Sequence, residues 1–294
     1  MFTHAFKQLE KELDVDENFE VEFYAYNISK CKIIKKVYVL APCKARKPEK
    51  NYITMNNKQI QMLSSALENE YLCGFPSERY SLFDISFRKD GTSNSIGFSF
   101  NDHFDYNYIK PTQVFKHFEG LGVGLFIDTL TKIQHNMFRG DFQYNSIFMI
   151  GMVVEDTELK SIKAYIRYDL DEAQNKADRR EILDLIAETI NPSYSSISYF
   201  SCMAEKLENI NLKFSFVGVD CYSDKTQRYK VYFRDYEGVN QGMILNELLA
   251  LFLEFGITED VQNIFKYHKN GIWGIALSTD SFEYVDGVQL YFYP

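Results

Sequence analysis

Ten β-patterned stretches arrive in five pairs, with helical patterns between the pairs, and this alternation limits the available folds more than any other feature of the chain. The first pair is FEVEFYAYNISKCKIIKKVYVL, from about Phe19 to Leu40. The second, from about Leu82 to Phe100, sets LFDISF and SIGFSF around the turn RKDGTSN. The third covers about Phe148 to Tyr168, with EDTELK between its strands. FSFVGVDCYSDKTQRYKVYFR forms the fourth, and IWGIALSTDSFEYVDGVQLYFYP closes the chain. Pair starts recur roughly every 60 residues, a periodicity of architecture and not of sequence identity. Helical spacing is read over Lys58–Tyr71, Thr112–Ile133, Asp171–Ile190, Ser195–Leu207 and Asn246–Tyr267, the last broken at Gly256. No linker or composition shift divides the chain, so residues 1–294 are expected to form a single α+β domain, an antiparallel sheet of five αββ units with helices packed against it.

The strands carry two different faces. In Lys163-Ala164-Tyr165-Ile166-Arg167 the apolar Ala164 and Ile166 alternate with Lys, Tyr and Arg. Lys230-Val231-Tyr232-Phe233-Arg234 repeats the pattern in kind, Lys36-Val37-Tyr38-Val39 and Gln289-Leu290-Tyr291-Phe292-Tyr293 vary it, and Ser95-Ile96-Gly97-Phe98-Ser99 is a small-residue version. Helices cover apolar surface, so the Val, Ile and Phe face belongs beneath them and the Lys/Tyr/Arg face points away. That second face either meets water, as in a half-solvated sheet, or lines the lumen of a closed barrel. Ten strands suffice to enclose a ligand cavity, and closure removes the long edges an open sheet of this size would expose.

Composition excludes several classes. The formal charge of −9 opposes a general nucleic-acid or anionic-membrane surface, since phosphate backbones require a positive field. Five cysteines without a CxxC pair, and five scattered histidines, lack zinc-site spacing; reduced thiols in a cytoplasmic protein are expected. The charged start, MFTHAFKQLEKELDVDENFE, lacks the apolar stretch of a signal peptide, and no run reaches the length of a membrane span. Twenty-one tyrosines against one tryptophan point to phenols used for more than filling space, because a buried hydroxyl needs a partner.

Three segments, VGVDCYSDKTQRYKVYFRD, IKAYIRYD and WGIALSTDSFEYVDGVQLYFYP, resemble the aromatic prenyltransferases of the ABBA fold, the prenyltransferase barrel. Strands of the VGVD, VxVYF and KxY types recur in that family, and the five units follow its plan along nearly the whole chain. VEFYAY followed by KKVYVL also resembles relatives that prenylate indoles, and cyanobactin-type relatives that prenylate side chains of cyclic peptides; these carry a Glu at about the position of Glu22. The resemblance implies a ten-stranded antiparallel barrel ringed by helices, holding an allylic prenyl diphosphate and an aromatic acceptor. Some relatives place a diphosphate-contacting Lys in the second hairpin, where this chain has Ser95.

The residues can be matched to that chemistry. Lys36, Lys163, Arg167, Lys230 and Arg234 are the candidates to bind diphosphate and neutralise its leaving charge. Tyr165, Tyr232 and Tyr291 suit shielding of the allylic cation, whose charge an aromatic face attracts. Glu22 is the candidate base, a carboxylate whose pKa a partly desolvated cavity would raise. Glu20 on the same face leaves open that Glu22 simply marks an exposed edge, and Tyr38, Tyr222 and Tyr293 fit either cavity or core.

Competing motifs are weaker. No DDxxD pair is present for a magnesium-bridged diphosphate, so no metal ligands are assigned and Mg²⁺ is optional. Asp169, Asp171 and Glu172 precede a helix, where carboxylates cap free N–H groups. Gly120-x-Gly122-x-Gly124 lacks the Lys-Ser/Thr of a P-loop. The expected partners are prenyl diphosphate and an indole or phenolic small molecule, with a cyclic peptide as the alternative acceptor; a non-catalytic barrel holding a hydrophobic ligand is the alternative of another class. Neither nucleic acid, nor membrane, nor a second subunit is expected.

Overall fold

The structure, a computed structural model, describes residues 18–39, 52–54, 80–87, 93–101, 128–129, 131–133, 147–155, 158–167, 176–222 and 226–294. Five antiparallel hairpins occupy the five expected places: β1 (Asn18–Ser29) with β2 (Lys32–Val39), β4 (Tyr80–Phe87) with β5 (Ser93–Asn101), β6 (Ile147–Glu155) with β7 (Glu158–Arg167), β8 (Leu212–Tyr222) with β9 (Gln227–Asp235), and β10 (Ile272–Thr279) with β11 (Gly287–Phe292). An eleventh strand, β3 (Tyr52–Thr54), lies outside the five hairpins; among the described residues it pairs with the start of β1 alone, opposite Asn18–Glu20. The third turn is tighter than the sequence suggests, because Glu155 and Glu158 are themselves register partners.

The sheet is antiparallel throughout, in the order β11-β10-β9-β8-β7-β6-β5-β4-β2-β1-β3, and β11 also pairs with β1 over Tyr24–Ser29.

Four helices are described: α1 (Lys176–Ile190), α2 (Tyr199–Asn209), α3 (Gln241–Phe255) and α4 (Thr258–Tyr267). Their ends follow from local chemistry. Ser198 Oγ accepts the Ser201 N–H, and Asn240 Oδ1 accepts the Gly242 N–H, each satisfying a donor that the first helical turn leaves free. Asn240 thus starts α3 several residues before the apolar pattern does. Gly256 ends it in the left-handed region (φ 70°), where its N–H donates to the Leu253 carbonyl and that of Ile257 to Phe252. This Schellman arrangement produces the expected break before α4. The helical patterns at Lys58–Tyr71 and over most of Thr112–Ile133 lie outside the described residues, although 131–133 is helical and Ile133 is buried. No described helix is long and apolar enough to cross a membrane.

Alternation along the strands produces two hydrophobic clusters, one on each side of the sheet. Ala164, Ile166, Val217, Val231, Phe233 and Leu290 pack in one cluster with the apolar stripes of the helices, including Ile186, Phe200, Leu207, Leu248, Phe252 and Val261. The residues between them along each strand form a second, separate cluster made of Ala25, Tyr165, Phe216, Tyr232, Ala276 and Tyr291, with Tyr38 and Trp273 against it. The apolar face thus lies under the helices and the Lys/Tyr/Arg face turns away, as the period-2 pattern predicts.

Candidate functional site

The face turned away from the helices is not solvated. Lys36, Lys163, Tyr165, Tyr232 and Tyr291 are 6%, 8%, 7%, 3% and 6% exposed, values that a polar sheet face in contact with water would not give. We call this the interior face.

Its residues sort by position along the strands. At one end, Lys163 stands directly opposite Asp220 across the β7–β8 ladder, and Asp220 Oδ2 lies 3.0 Å from Lys230 Nζ on β9. The Lys36 ammonium acts on both Asp220 and Lys230, although β2 pairs with β1 and β4 and not with β8 or β9. Three lysines, from the first, third and fourth hairpins, therefore converge on one buried carboxylate. Burial, the largest single influence, opposes ionisation of Asp220, but Lys230, Lys163 and Lys36 together hold its carboxyl below the usual carboxylate range. Burial draws Lys230 down to about 8; Asp220 resists that fall and the other two lysines add to it.

Beyond the lysines lies a shelf of rings. Phe216 stacks on Tyr232 at 4.1 Å between centroids, and Tyr165, Tyr291 and Tyr38 continue the layer at 5.9, 6.0 and 5.7 Å between successive neighbours. Gln289 Nε2 donates to Tyr38 Oη at 3.1 Å, while Tyr291 Oη and Tyr232 Oη are 3.5 Å apart. Burial pushes the phenols of Tyr232 and Tyr291 well above their ordinary values, so both remain neutral. Their faces offer a negative quadrupole without a formal charge, suited to a transient cation in a dry site.

At the far end, Trp273 contacts Phe23 at 5.0 Å, Tyr291 at 5.4 Å and Phe216 at 6.4 Å. The Arg234 guanidinium carbon lies 4.7 Å from the Trp273 centroid and 4.9 Å from that of Tyr236, and its Nε is buried without a hydrogen-bond partner among the described residues. Arg234 is four residues from Lys230 along β9, roughly 13 Å at the rise of a strand. The structure thus brings Lys36, Lys163 and Lys230 together and sets Arg234 with the aromatic end. Arg167 is the β7 partner of Phe216, and Glu22 falls at the irregularity between Val21 and Phe23 in the β1–β2 register; the side chains of both lie outside the described residues.

Sequence reasoning did not single out Asp220, Gly218, Phe216, Gln289 or Trp273. Phase along β8 was available as a signal, since Phe216, Gly218 and Asp220 share one face by alternation. Arg228, directly opposite Asp220 and ion-paired with Asp286, was also passed over. Cys31, Cys202 and Cys221 are free thiols, and no group of metal-ligating side chains is found among the described residues.

An antiparallel sheet of five hairpins, with the described helices on one side and a buried lysine–tyrosine face on the other, has the architecture of the aromatic prenyltransferases of the ABBA type. Comparison with solved structures bears this out at the level of the fold. AnaPT from Neosartorya fischeri superposes with a TM-score of 0.62 at 14% identity, over 93% of this chain and 78% of that one. The 6-dimethylallyltryptophan synthase from Micromonospora olivasterospora, in complex with DMASPP and Trp, gives 0.61 at 12% identity, covering 92% and 81%. NotF in complex with brevianamide F and DMSPP gives 0.58 at 12%, covering 93% and 79%. No family model and no curated protein matches the sequence.

Proposed function

We propose that this protein is an aromatic prenyltransferase that moves a dimethylallyl or longer prenyl group from its diphosphate to an electron-rich ring, with an indole as the acceptor class. The observation that carries the proposal is the convergence of Lys36, Lys163 and Lys230 beside the buried shelf of Tyr165, Tyr232 and Tyr291. An anion site adjoining a dry, aromatic surface is what ionisation of an allylic diphosphate requires. Tryptophan and brevianamide F in the solved neighbours support an indole acceptor. The β11–β1 pairing supports a closed ring of ten strands around the interior face, which would keep water from the cation.

In this mechanism the three lysines hold the diphosphate, and the allylic C–O bond breaks with its electron pair leaving on the diphosphate oxygen. The allylic cation is then held over the tyrosine rings. An acceptor ring carbon supplies the electron pair for the new C–C bond, and the ring regains aromaticity by losing its proton. Glu22, on the strand that carries Phe23 to Trp273, is our candidate for receiving that proton. Arg234, stacked on Trp273, belongs to the acceptor end of this arrangement. Lysine ammoniums supply the charge compensation, so the proposed mechanism does not require Mg²⁺.

The test is a mass-spectrometric screen of the purified protein with dimethylallyl and geranyl diphosphate against tryptophan, other indoles, tyrosine, naphthalenediols and cyclic peptides, with and without Mg²⁺. A product one prenyl unit heavier than an indole acceptor is the expected result. Prenylation of the peptides alone would move the acceptor class, and absence of product together with absence of diphosphate binding would overturn the enzyme assignment.

A further inference from the structure

A carboxylate is an unexpected occupant of a site built to bind an anion. Asp220 is fully buried, yet it stands among Lys36, Lys163 and Lys230, where its negative charge subtracts from the field a diphosphate would meet. Its Oδ2 is ion-paired with Lys230 Nζ at 3.0 Å, and beyond that contact neither carboxylate oxygen has a hydrogen-bond partner among the described residues. A lone buried carboxylate of this kind costs several kcal/mol unless cations compensate it, in the order-of-magnitude sense of burying any ion. Its geometry shows what it gives in return, because three ammoniums crowded into a dry interior repel one another, and desolvation and that repulsion both favour loss of a proton.

We propose that Asp220 is a positioning residue of the anion site, a built-in counter-ion that keeps Lys230 protonated and its ammonium aimed into the lysine cluster. This inference rests on the diphosphate site proposed above. Among the described residues, every charged or titratable group that bears on Lys230 fits the assignment: Asp220 on β8 favours its charge, while Lys163 on β7 and Lys36 on β2 oppose it. Ser278 on β10 and Gly218 on β8, its direct ladder partners, are uncharged. Arg228, two residues away on β9, is neutralised by Asp286, and Tyr222 on β8 stays protonated at working pH. Lys230, already drawn down to about 8 with Asp220 in place, would lose its proton well below that without it.

The experiment is calorimetric binding of inorganic pyrophosphate to wild type and Asp220→Asn at pH 6, 7 and 8, compared as a ratio of dissociation constants at each pH so that titration of the probe cancels. The expected ratio is near or below one at pH 6, where Lys230 is charged in both proteins and the variant has lost a repelling anion. At pH 8 the variant binds on the order of tenfold more weakly, the factor that one unit of pKa supplies. Asp220→Asn combined with Lys230→Arg should flatten the ratio, because a guanidinium does not deprotonate in this range. A loss of equal size at every pH would reduce Asp220 to a structural residue and overturn the proposal; so would a gain of equal size at every pH, which marks a merely repelling anion. Failure of wild type to bind pyrophosphate at all would instead overturn the anion site itself, and this inference with it. Asp220→Ser, smaller and able to admit water, carries the same comparison should Asp220→Asn not fold.

Discussion

Tyr165 lies directly across the β7–β8 ladder from Gly218, and its ring carbons Cδ1 and Cε1 stand 3.2 Å from the point a Cβ at residue 218 would occupy. Tyr232 Cε2 is 3.3 Å from the same point. The absent side chain is therefore what lets two rings of the proposed cation shelf close over the strand between them. Gly218→Ala should push both rings back by a few tenths of an ångström, at a cost of about 1 kcal/mol in stability by the usual penalty for overpacking. Transfer should slow on the order of tenfold, since misplacement of a reacting group costs rate steeply. Pyrophosphate binding, at the lysine end, should persist. Thermal melts, calorimetry and single-turnover rates together check this; an unchanged rate would show that the shelf does not hold the cation.

The two ends of the interior face should separate cleanly in binding experiments. Lys163→Ala and Lys230→Ala each remove one charge-assisted contact to diphosphate, worth roughly 1.5–3 kcal/mol, or about 10- to 100-fold in the dissociation constant. Arg234→Ala should leave pyrophosphate affinity within about twofold and raise KM for the acceptor, because its guanidinium is stacked between Trp273 and Tyr236. If Arg234→Ala weakens pyrophosphate as much as Lys230→Ala does, the division of the site into a lysine end and an aromatic end is wrong.

Glu22→Gln tests the proton acceptor. Glutamine keeps the size and removes the basicity, so the variant should bind prenyl diphosphate as wild type does while transfer falls by about 100-fold, within the usual range for a general base. Rapid-quench measurement of product, alongside calorimetry of diphosphate binding, separates the two effects. Equal rates in both proteins would return Glu22 to the edge-strand role that its neighbour Glu20 leaves open.

The order of hairpins and the phase of each strand were legible in the sequence because both depend on local alternation. Lys163, Tyr165, Lys230, Tyr232 and Tyr291 were placed on one face by period alone, and all five share it. Depth along that face is a different quantity, set by which strands neighbour each other and in what register. Alternation made Arg234 look equivalent to Lys230, and only the strand's length and the partners of Arg234 distinguish them. Asp220 was hidden for the same reason: its charge is notable only because β7 brings Lys163 opposite it and β9 brings Lys230 beside it. Gly218 was read as part of a motif, and its use as clearance for Tyr165 depends on a partner strand some fifty residues earlier in the chain.

A last prediction concerns stability on the helix-covered side of the sheet. His268, at the end of α4, is buried, stacked on Phe292 at 4.6 Å, with Nε2 2.8 Å from Tyr26 Oη. Burial, assisted by the nearby Lys35 charge, draws its pKa down to about 4, against about 6.5 for an unfolded histidine. Between those values the unfolded chain binds more protons than the folded one, so stability is complete above about pH 6.5 and is lost as the pH falls towards 4. The gap between those two values sets an upper limit of about 3 kcal/mol on that loss. Asp220 titrates in a lower window, since its folded carboxyl lies below the ordinary carboxylate range and its contribution is retained until the pH falls below that range. His268→Phe keeps the stacked ring and forfeits the contact to Tyr26, so it should be less stable than wild type at pH 7.5 by about 1 kcal/mol, the net worth of an ordinary hydrogen bond. Between pH 6.5 and 4.5 the wild-type melting temperature should fall faster than that of the variant, and the two curves should approach or cross. Parallel curves across that interval would mean that His268 takes up its proton in the folded protein as readily as in the unfolded one.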